Sequence, residues 1–493
     1  MKIKILMSAL ATAFTVSVAE AAETSDVQSQ LDQLKSQISV LEAKVKTQNA
    51  TIQSEQGKSR SEEAHLAEEE KEFDDLDDRV MGIRQERGYS IPGFGTARNY
   101  GLDMAEDGSE TLITAPQLNK DYSLLLQNQF VNDEVGEVSD TGARVQFSGT
   151  VQASFEADSN PFGQVVDDTG NYETEEKSDL LGQAEFDLSA QINDWVTGYI
   201  HYFSSTEPGV NVEMEQAFIV FGNLDRSPTY ASVGKEFVSS GGYSTNMVSR
   251  PLTREVGRFR ANEATVGTFW DGFRGNIFGY DNERELEGDT FKSLGQWGAQ
   301  IEYFSQMSDS FEDTFGDDWS FKAGVAYVND ISTAESYDSS NVLSSDEEIN
   351  EYIPSGNVYA RVGYQEWSLL GEYQHNFEAF EADELSMNSD GAKIAATNVE
   401  LTYRFDVGRP SWITANYGQS SQALALQLPQ RVYGVTYGIN ILKNTVLSFE
   451  YLLQQDYSED DFAFAPGNLS TDNLQLGTGE NNNQFTAQVD VFF

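Results

Sequence analysis

The last ten residues, Gln484–Phe493, alternate between apolar and polar side chains. Successive side chains of a β-strand point to opposite faces, so Phe485 and Val489 share one face while Gln488 and Asp490 share the other. A strand of a membrane-spanning barrel has this form because one face meets lipid and the other meets a wet interior. The pattern therefore predicts an all-β chain whose final strand closes a transmembrane barrel.

The N-terminus predicts export. Lys2 and Lys4 precede an apolar run over residues 5–18, and small residues follow at 19–21, as in a secretory signal peptide over 1–21. No later stretch approaches the roughly 18 apolar residues of a membrane-spanning helix. The chain has no cysteine, which excludes a disulfide framework and thiol chemistry.

The composition is strongly acidic, with 31 Lys and Arg against 80 Asp and Glu and a formal net charge of -49. This balance argues against nucleic-acid binding, which relies on neutralising phosphates. A disordered acidic protein would lack the 30 Phe and 22 Tyr found here. We therefore expect a folded, acidic, β-rich protein.

A heptad pattern precedes the β-rich part and predicts a helical region over 24–83, with an acidic stretch at 62–78. Its core positions are Val27, Leu31, Leu34, Ile38, Leu41, Val45 and Ile52. One interpretation is an amphipathic helix lying on the same chain. The other, which we favour, is an intermolecular coiled coil in the periplasm, with a homotrimer as the hypothesis. Residues 84–142 are predicted to be a loop-rich linker, and their position relative to the barrel stays open.

Residues 143–493 form the predicted barrel domain. It contains sixteen short segments in which apolar and polar side chains alternate, and single-chain barrels require such an even number of strands. The predicted strands are 144–157, 179–192, 195–204, 212–221, 229–237, 264–270, 273–280, 296–305, 319–328, 356–364, 367–377, 392–405, 411–419, 431–440, 445–454 and 484–493. Connections after even-numbered strands are mostly short and those after odd-numbered strands mostly long, as expected of periplasmic turns and external loops. Tryptophans beside the short turns predict an interfacial belt. They are Trp195, Trp270, Trp319, Trp367 and Trp412.

The third long loop, 238–263, carries a cluster of positive charge in an otherwise acidic chain. Arg250, Arg254, Arg258 and Arg260 stand there against a single acid, Glu255. Arginine is permanently charged and binds carboxylates and phosphates in a bidentate manner, so the cluster predicts a constriction that favours anions. The alternative is that these arginines pair with wall residues such as Glu185, Asp187 or Glu213 and only hold the loop in place. Further candidates for inward-facing basic residues are Lys235, Arg274, Lys322, Arg361 and Lys393.

No enzymatic constellation is apparent. The three histidines, His65, His201 and His375, lie far apart in the sequence, and no catalytic or metal-binding motif surrounds them. We predict neither an enzyme nor a cofactor or metal site.

Several segments resemble the LbtU-family siderophore porins. They are Leu180–Leu188, Gln191–Val196, Glu215–Ile219, Gly222–Leu224 and, most specifically, Tyr243–Thr253. The resemblance extends over about residues 143–493 and implies a sixteen-stranded outer-membrane barrel, without a globular plug domain, that takes part in ferric-siderophore uptake. Arg250 and Arg254 depart from it, because acidic residues occupy the corresponding loop positions in that family. The type of ligand therefore need not carry over.

A weaker resemblance to DcaP-like and phosphate-type porins implies an anion channel instead. We therefore predict an outer-membrane channel of a Gram-negative bacterium for a siderophore or similar anionic solute. The alternatives are a dicarboxylate or phosphate porin, and a structural tether that contacts the periplasmic cell wall. The expected surroundings are outer-membrane lipid and lipopolysaccharide.

Overall fold

A computed structural model describes residues 142–159, 177–206, 212–281, 295–305, 319–337, 349–442, 444–465 and 474–492, position 342, and some residues between 124 and 138. The predicted signal peptide, the heptad core, His65, most of the linker and Phe493 lie outside the described residues. No helix in the described part of the chain is long and apolar enough to cross a membrane.

Sixteen antiparallel strands close into one barrel, in which β20 pairs with both β17 and β1. The barrel strands are β1 (Arg144–Asp158), β2 (Lys177–Asn193), β3 (Val196–Ser205), β4 (Glu213–Gly222), β5 (Thr229–Phe237), β6 (Arg260–Trp270), β7 (Phe273–Tyr280), β8 (Gln296–Phe304), β9 (Trp319–Val328), β10 (Ser355–Tyr364), β11 (Trp367–Asn376), β14 (Ala395–Asp406), β15 (Pro410–Ser421), β16 (Arg431–Leu442), β17 (Thr445–Gln455) and β20 (Asn481–Phe492). Four short strands form a separate sheet among the long connections. They are β12 (Ser386–Met387), β13 (Asp390–Gly391), β18 (Phe462–Phe464) and β19 (Leu474–Leu476).

All sixteen predicted segments coincide with barrel strands. The largest difference is at β6, which begins at Arg260 rather than at 264. Residues 260–263 offer no apolar side chain to the outer face, so the alternation used for prediction starts late. Strand pairing with β5 nevertheless continues back to Arg260, opposite Phe237.

The alternation separates an apolar outer face from a polar inner one, as β1 illustrates. Val145 and Phe147 are exposed on the outside, whereas Thr150 and Gln152 are buried on the inside. Four of the five belt tryptophans are exposed at the end that carries the short turns, hereafter the short-turn end. The prediction for Trp412 is wrong. It is 1% exposed and lies on the inner face, because the strand parity that makes Ile413 exposed turns its neighbour inward.

The long connections at the other end, hereafter the long-loop end, pack against one another. Tyr337, Phe380, Leu424 and Tyr457 come from four different connections and belong to one buried cluster. Val256 of the short helix α1 (Leu252–Gly257), between β5 and β6, belongs to the same cluster. The described parts of these connections therefore form a packed layer at this end of the barrel.

Candidate functional site

The connection between β5 and β6, residues 238–259, lies inside the barrel, in agreement with the prediction for the third long loop; we call it the inner loop. Its backbone is held by carboxylates of the wall. Glu372 Oε1 accepts hydrogen bonds from the N–H groups of Gly242 and Tyr243, at 3.1 and 2.8 Å. Glu400 Oε2 accepts from the N–H of Asn246 at 2.7 Å. Two buried carboxylates of adjacent strands thus satisfy loop donors that would otherwise be costly to bury.

A third wall carboxylate continues this series. Glu450 of β17 accepts hydrogen bonds from the N–H groups of Val248 and Ser249, at 2.7 and 2.9 Å, and from the hydroxyl of Thr436 at 2.7 Å. The inner loop therefore runs across the inner face from β11 to β17 and is anchored three times. Sequence reasoning missed all three glutamates. The signal was available, because strand parity places an acid at the middle of each strand on the inner face.

Three of the four predicted loop arginines surround α1. Arg258 donates two hydrogen bonds to Glu335 of the connection 329–354, at 2.6 and 2.8 Å. Arg250 Nη1 lies 3.8 Å from Glu335 and 4.0 Å from Glu255, and its side chain is 39% exposed. Arg254 is buried, and among the described residues its Nε has no hydrogen-bond partner. Three guanidinium groups thus face two carboxylates, which leaves one excess positive charge (three minus two).

Burial and mutual repulsion shape the electrostatics of this arginine cluster, defined as Arg250, Arg254 and Arg258. Burial lowers the pKa of Arg254 well below its usual range, and the positive charges of Arg258 and Arg250 lower it further. Burial alone would raise the pKa of the Glu335 carboxyl, but Arg258 and the other arginines together hold that pKa below its ordinary value. Glu335 is therefore a carboxylate at neutral pH, and the cluster would gain from a further anion.

The fourth arginine, Arg260, pairs elsewhere. Its Nη1 lies 2.6 Å from Glu215 Oε1. Glu215 belongs to β4 of the wall, so Arg260 follows the alternative that wall acids hold the loop arginines, whereas pairing with Glu185, Asp187 or Glu213 stays a prediction. The observed partners are Glu335, which is 77 residues from Arg258 in the chain, and Glu215. Glu185 and Asp187 are buried on the inner side of β2.

Three of the five further basic candidates lie on the inner face. Arg274 forms an ion pair with Glu302 at 2.6 Å, and Lys322 lies 3.7 Å from the same carboxyl group. Arg361 is buried at an inner position of β10. Arg404, buried at an inner position of β14, belongs with them and was not predicted.

The predictions for Lys235 and Lys393 are wrong. Lys235 alternates with Val233, which is exposed on the outer face of β5, and pairs with the exposed Asn262. Lys393 is exposed before the start of β14, and its backbone N–H donates to Gln422. Neither side chain belongs to the inner wall.

A cavity of about 150 Å³ adjoins the inner loop on the side of β14 to β17. Its lining combines the opposite charges of Arg250 and Glu255 with the amides of Asn398 and Asn416 and with apolar side chains such as Val432. The exposed edge of the arginine cluster therefore opens on space bounded by both polar and apolar groups.

Part of the region predicted as linker also lies inside the barrel. Leu124, Leu125 and Leu126 are buried in a cluster with residues of the inner wall that includes Tyr199 and Phe218. We call the described residues 124–126, 128, 129 and 132 the inner segment. Sequence reasoning left the position of this stretch open, because a run of three leucines does not reveal its partner.

The two histidines that the structure describes, His201 and His375, lie on different strands, β3 and β11. His201 is buried, with Nδ1 2.8 Å from Asp187 and Nε2 3.3 Å from Glu215. His375 stacks on Tyr373 instead. Within the described ranges, no group of three or more His, Cys, Asp or Glu side chains could hold a metal ion.

Comparison with known proteins finds relatives at low identity. No family model matches the chain. A UPF0422 protein of Coxiella burnetii is 29% identical over 402 residues, covering 79% of this chain and 81% of that protein. A UPF0422 protein of Legionella pneumophila strain Lens is 28% identical over 419 residues, covering 79% and 74%. The resemblance to LbtU-family siderophore porins stays a prediction.

Among solved structures, the chain is similar to outer-membrane channels. The channel DcaP of Acinetobacter baumannii has a TM-score of 0.44 and 13% identity, covering 72% of this chain and 99% of that one. The anion-selective porin from Comamonas acidovorans has a TM-score of 0.44 and 12% identity, covering 71% and 100%. Neither likeness assigns a solute to this chain.

Proposed function

We propose that the chain forms an outer-membrane channel for an anionic solute, with the short-turn end in the periplasm and the long-loop end outside. A closed barrel with an apolar outer face and a polar interior satisfies its backbone internally, as a bilayer requires. An inner loop anchored across such a barrel narrows the path through it. Selectivity then depends on the charges that this loop presents.

The arginine cluster is the observation that carries the anionic preference. Many inner carboxylates are already engaged: Glu372, Glu400 and Glu450 accept from the inner loop, and Glu302 pairs with Arg274. By contrast, the cluster has excess positive charge, and Arg250 borders the cavity. An anion at this position would complete the coordination of the guanidinium groups in the bidentate manner that arginine favours.

A ferric siderophore and a simpler anion such as a dicarboxylate or phosphate share this chemistry. The resemblance of Tyr243–Thr253 to siderophore porins favours the first. Growth of an iron-limited deletion strain on ferric siderophores should be restored by the gene under this proposal. Restoration of growth on dicarboxylate or phosphate alone would favour the simpler anion porin.

Selectivity is tested by reversal potentials in a planar bilayer with a KCl gradient. The wild-type channel should prefer chloride, and Arg250→Gln with Arg254→Gln should shift the reversal potential toward zero. Arg226→Gln is the control, because it removes one arginine charge away from the cluster, from an exposed pair with Asp194 at the short-turn end. Cation selectivity of the wild type, or an equal shift in the control, would overturn the proposal.

The predicted homotrimer belongs to the same proposal. Chemical cross-linking in mild detergent should trap three copies. Recovery of monomers alone would refute it without touching the selectivity of the single barrel.

A further inference from the structure

The cavity beside the inner loop has a lining of two kinds. Among its described lining residues, Arg250 and Glu255 carry charge, and apolar side chains are the largest class. The apolar side chains come from the inner loop at Leu252, from the connection between β15 and β16 at Leu428, and from the wall at Val432. An apolar lining with a few charged or polar groups is the usual composition of a small-molecule site.

The size of the cavity indicates what it holds. Its volume is about 150 Å³, and an engineered apolar cavity of about this volume binds benzene. Part of the space exists because Gly418 of β15 has no side chain. A Cβ at this position would lie 3.4 Å from Leu252 Cδ1 and 3.5 Å from Val432 Cβ, at ordinary contact distances. The cavity therefore matches one ring or one branched chain.

Neutral polar groups of the lining already bond within the protein. Asn416 Nδ2 donates to Asn398 Oδ1 at 2.6 Å, and Asn398 Nδ2 donates to Glu400 Oε1 at 2.9 Å. The hydroxyl of Thr245 donates to the same Glu400 oxygen at 2.6 Å. A ligand would have to break these hydrogen bonds to use the donors, at a cost comparable to what it gains. Recognition of a ligand therefore depends on the charged part of the lining.

The charge balance favours a single negative charge. The Arg250 side chain is 39% exposed, and its Nη1 lies 3.8 Å from Glu335 and 4.0 Å from Glu255, beyond hydrogen-bond distance. The arginine cluster faces these two carboxylates with three guanidinium groups, an excess of one positive charge (three minus two). A monoanion cancels this excess. A dianion would leave a negative charge without compensation beside Glu255, which is costly in a partly buried site.

We propose that the cavity binds a monocarboxylate whose apolar body is about as large as a benzene ring. The carboxylate binds the guanidinium of Arg250 in the manner that arginine favours, and the apolar body lies against Leu252 and Val432. This site rests on the proposed function, because the solute reaches it through the lumen of the channel. It narrows the solute from an anion in general to a small acid with one charge and one ring or branched chain. Of a larger chelator, the cavity accepts only an arm with this chemistry.

Four fluorinated probes separate the requirement for charge from the requirement for an apolar body. Fluorine NMR measures their affinity for the purified protein in detergent, corrected for protein-free micelles. The probes are para-fluorobenzoate, fluoroacetate without a ring, para-fluorobenzyl alcohol without a charge, and fluorophthalate with a second charge. The affinity for para-fluorobenzoate should exceed each of the others at least about tenfold. Equal affinity for any of the other three would overturn the proposal.

A cavity-filling variant locates the binding. Gly418→Leu should weaken para-fluorobenzoate binding at least about tenfold, because its side chain occupies the apolar part of the cavity while every charge stays in place. Gly371→Leu is the matched control, because an added Cβ there, on β11, meets nothing within 4 Å. Leu428→Gln, in a connection rather than a barrel strand, is a second variant and should also weaken binding. Heat-modifiable migration on gels identifies the variants that fold, and wild-type affinity in these would refute the site.

The test of this site is independent of the test of anion selectivity. Gly418→Leu keeps the arginine cluster, so its reversal potential in a KCl gradient should equal that of the wild type. A channel that prefers chloride but binds the four probes equally refutes the site and leaves the proposed function intact. A channel without that preference refutes the proposed function, whichever probe it binds.

Discussion

The anchoring of the inner loop makes a specific prediction for Glu400→Gln. Glu400 accepts hydrogen bonds from Thr245 at 2.6 Å, from the N–H of Asn246 at 2.7 Å and from Asn398 at 2.9 Å. Glutamine keeps one oxygen but replaces the other acceptor with an NH₂ group, which cannot accept from either loop donor. A hydrogen bond to a charged group contributes about 1.5–3 kcal/mol, and leaving a buried donor unsatisfied costs about 1–3 kcal/mol.

We therefore expect Glu400→Gln to weaken loop docking by about 2–4 kcal/mol, since the lost hydrogen bond counts in full and the cost of the unsatisfied buried donor counts in part. At about 1.4 kcal/mol per factor of ten, the ratio of docked to undocked loop should fall roughly 30- to 1000-fold. Hydrogen exchange of the Asn246 amide, read by mass spectrometry of the peptide that contains it, should accelerate by a comparable factor. Single-channel traces should show added noise from a loop that moves within the lumen.

The control is Glu366→Gln, in an exposed turn between β10 and β11. It should leave both readouts unchanged, as surface substitutions usually do. Equal protection of Asn246 in Glu400→Gln and the wild type would refute the reasoning. That result would mean that Glu400 is already protonated in the folded protein, or that packing alone holds the loop.

Three further predictions follow from the fold and the site. Val266→Arg places a charge on the outer face of β6 and should lower the free energy of unfolding in lipid by about 2–4 kcal/mol, the cost of an arginine near the bilayer midplane. Val407→Arg, in a short turn, should lower it by only about 0–1 kcal/mol. Urea titrations of both variants in vesicles compare the two values. Gly438→Val should prevent or slow barrel formation, because an added Cβ would collide with the indole of Trp412. Gly275→Val is the control, because an added Cβ there meets open space and the barrel should form normally. Heat-modifiable migration on gels reports barrel formation in both. The folded-state pKa of Glu335 is depressed, so its ion pair contributes stability above the unfolded pKa and loses it as the pH falls below about 4.5 through the folded value. Pepsin cleavage of the long loops should therefore increase over this acidic range. In Glu335→Gln, which lacks the titrating carboxyl, cleavage should not show this increase.

The strands could be predicted because their signal is local. Alternation over ten residues contains the face that each side chain occupies, and the sixteen segments needed no knowledge of their neighbours. The errors arose where the place or the charge of a residue was given more weight than the alternation of inward and outward side chains along its strand. Trp412 was assigned to the belt because it follows a short turn, and Lys235 to the interior because it is basic, although their neighbours Ile413 and Val233 already fixed both faces.

The partners of the loop residues could not be predicted in the same way. Arg258 and Glu335 are separated by 77 residues and come from different long connections. The three leucines of the inner segment carry no periodicity that distinguishes a linker from a segment docked inside a barrel. Such contacts depend on how loops fold back into a lumen, and no pattern within a single element records that.

Among the described residues, the inner loop and the inner segment both lie in the lumen, and different interactions hold them. The inner loop gives its backbone N–H groups to three buried carboxylates, so its departure would remove these donors from Glu372, Glu400 and Glu450 and leave each with fewer hydrogen bonds in the wall. Stranding buried polar or charged groups is far costlier than exposing the same area of apolar surface. The described leucines of the inner segment are held instead by apolar packing, which is non-directional. The chemistry therefore makes the inner loop a fixed element, suited to carrying selective charges at constant positions.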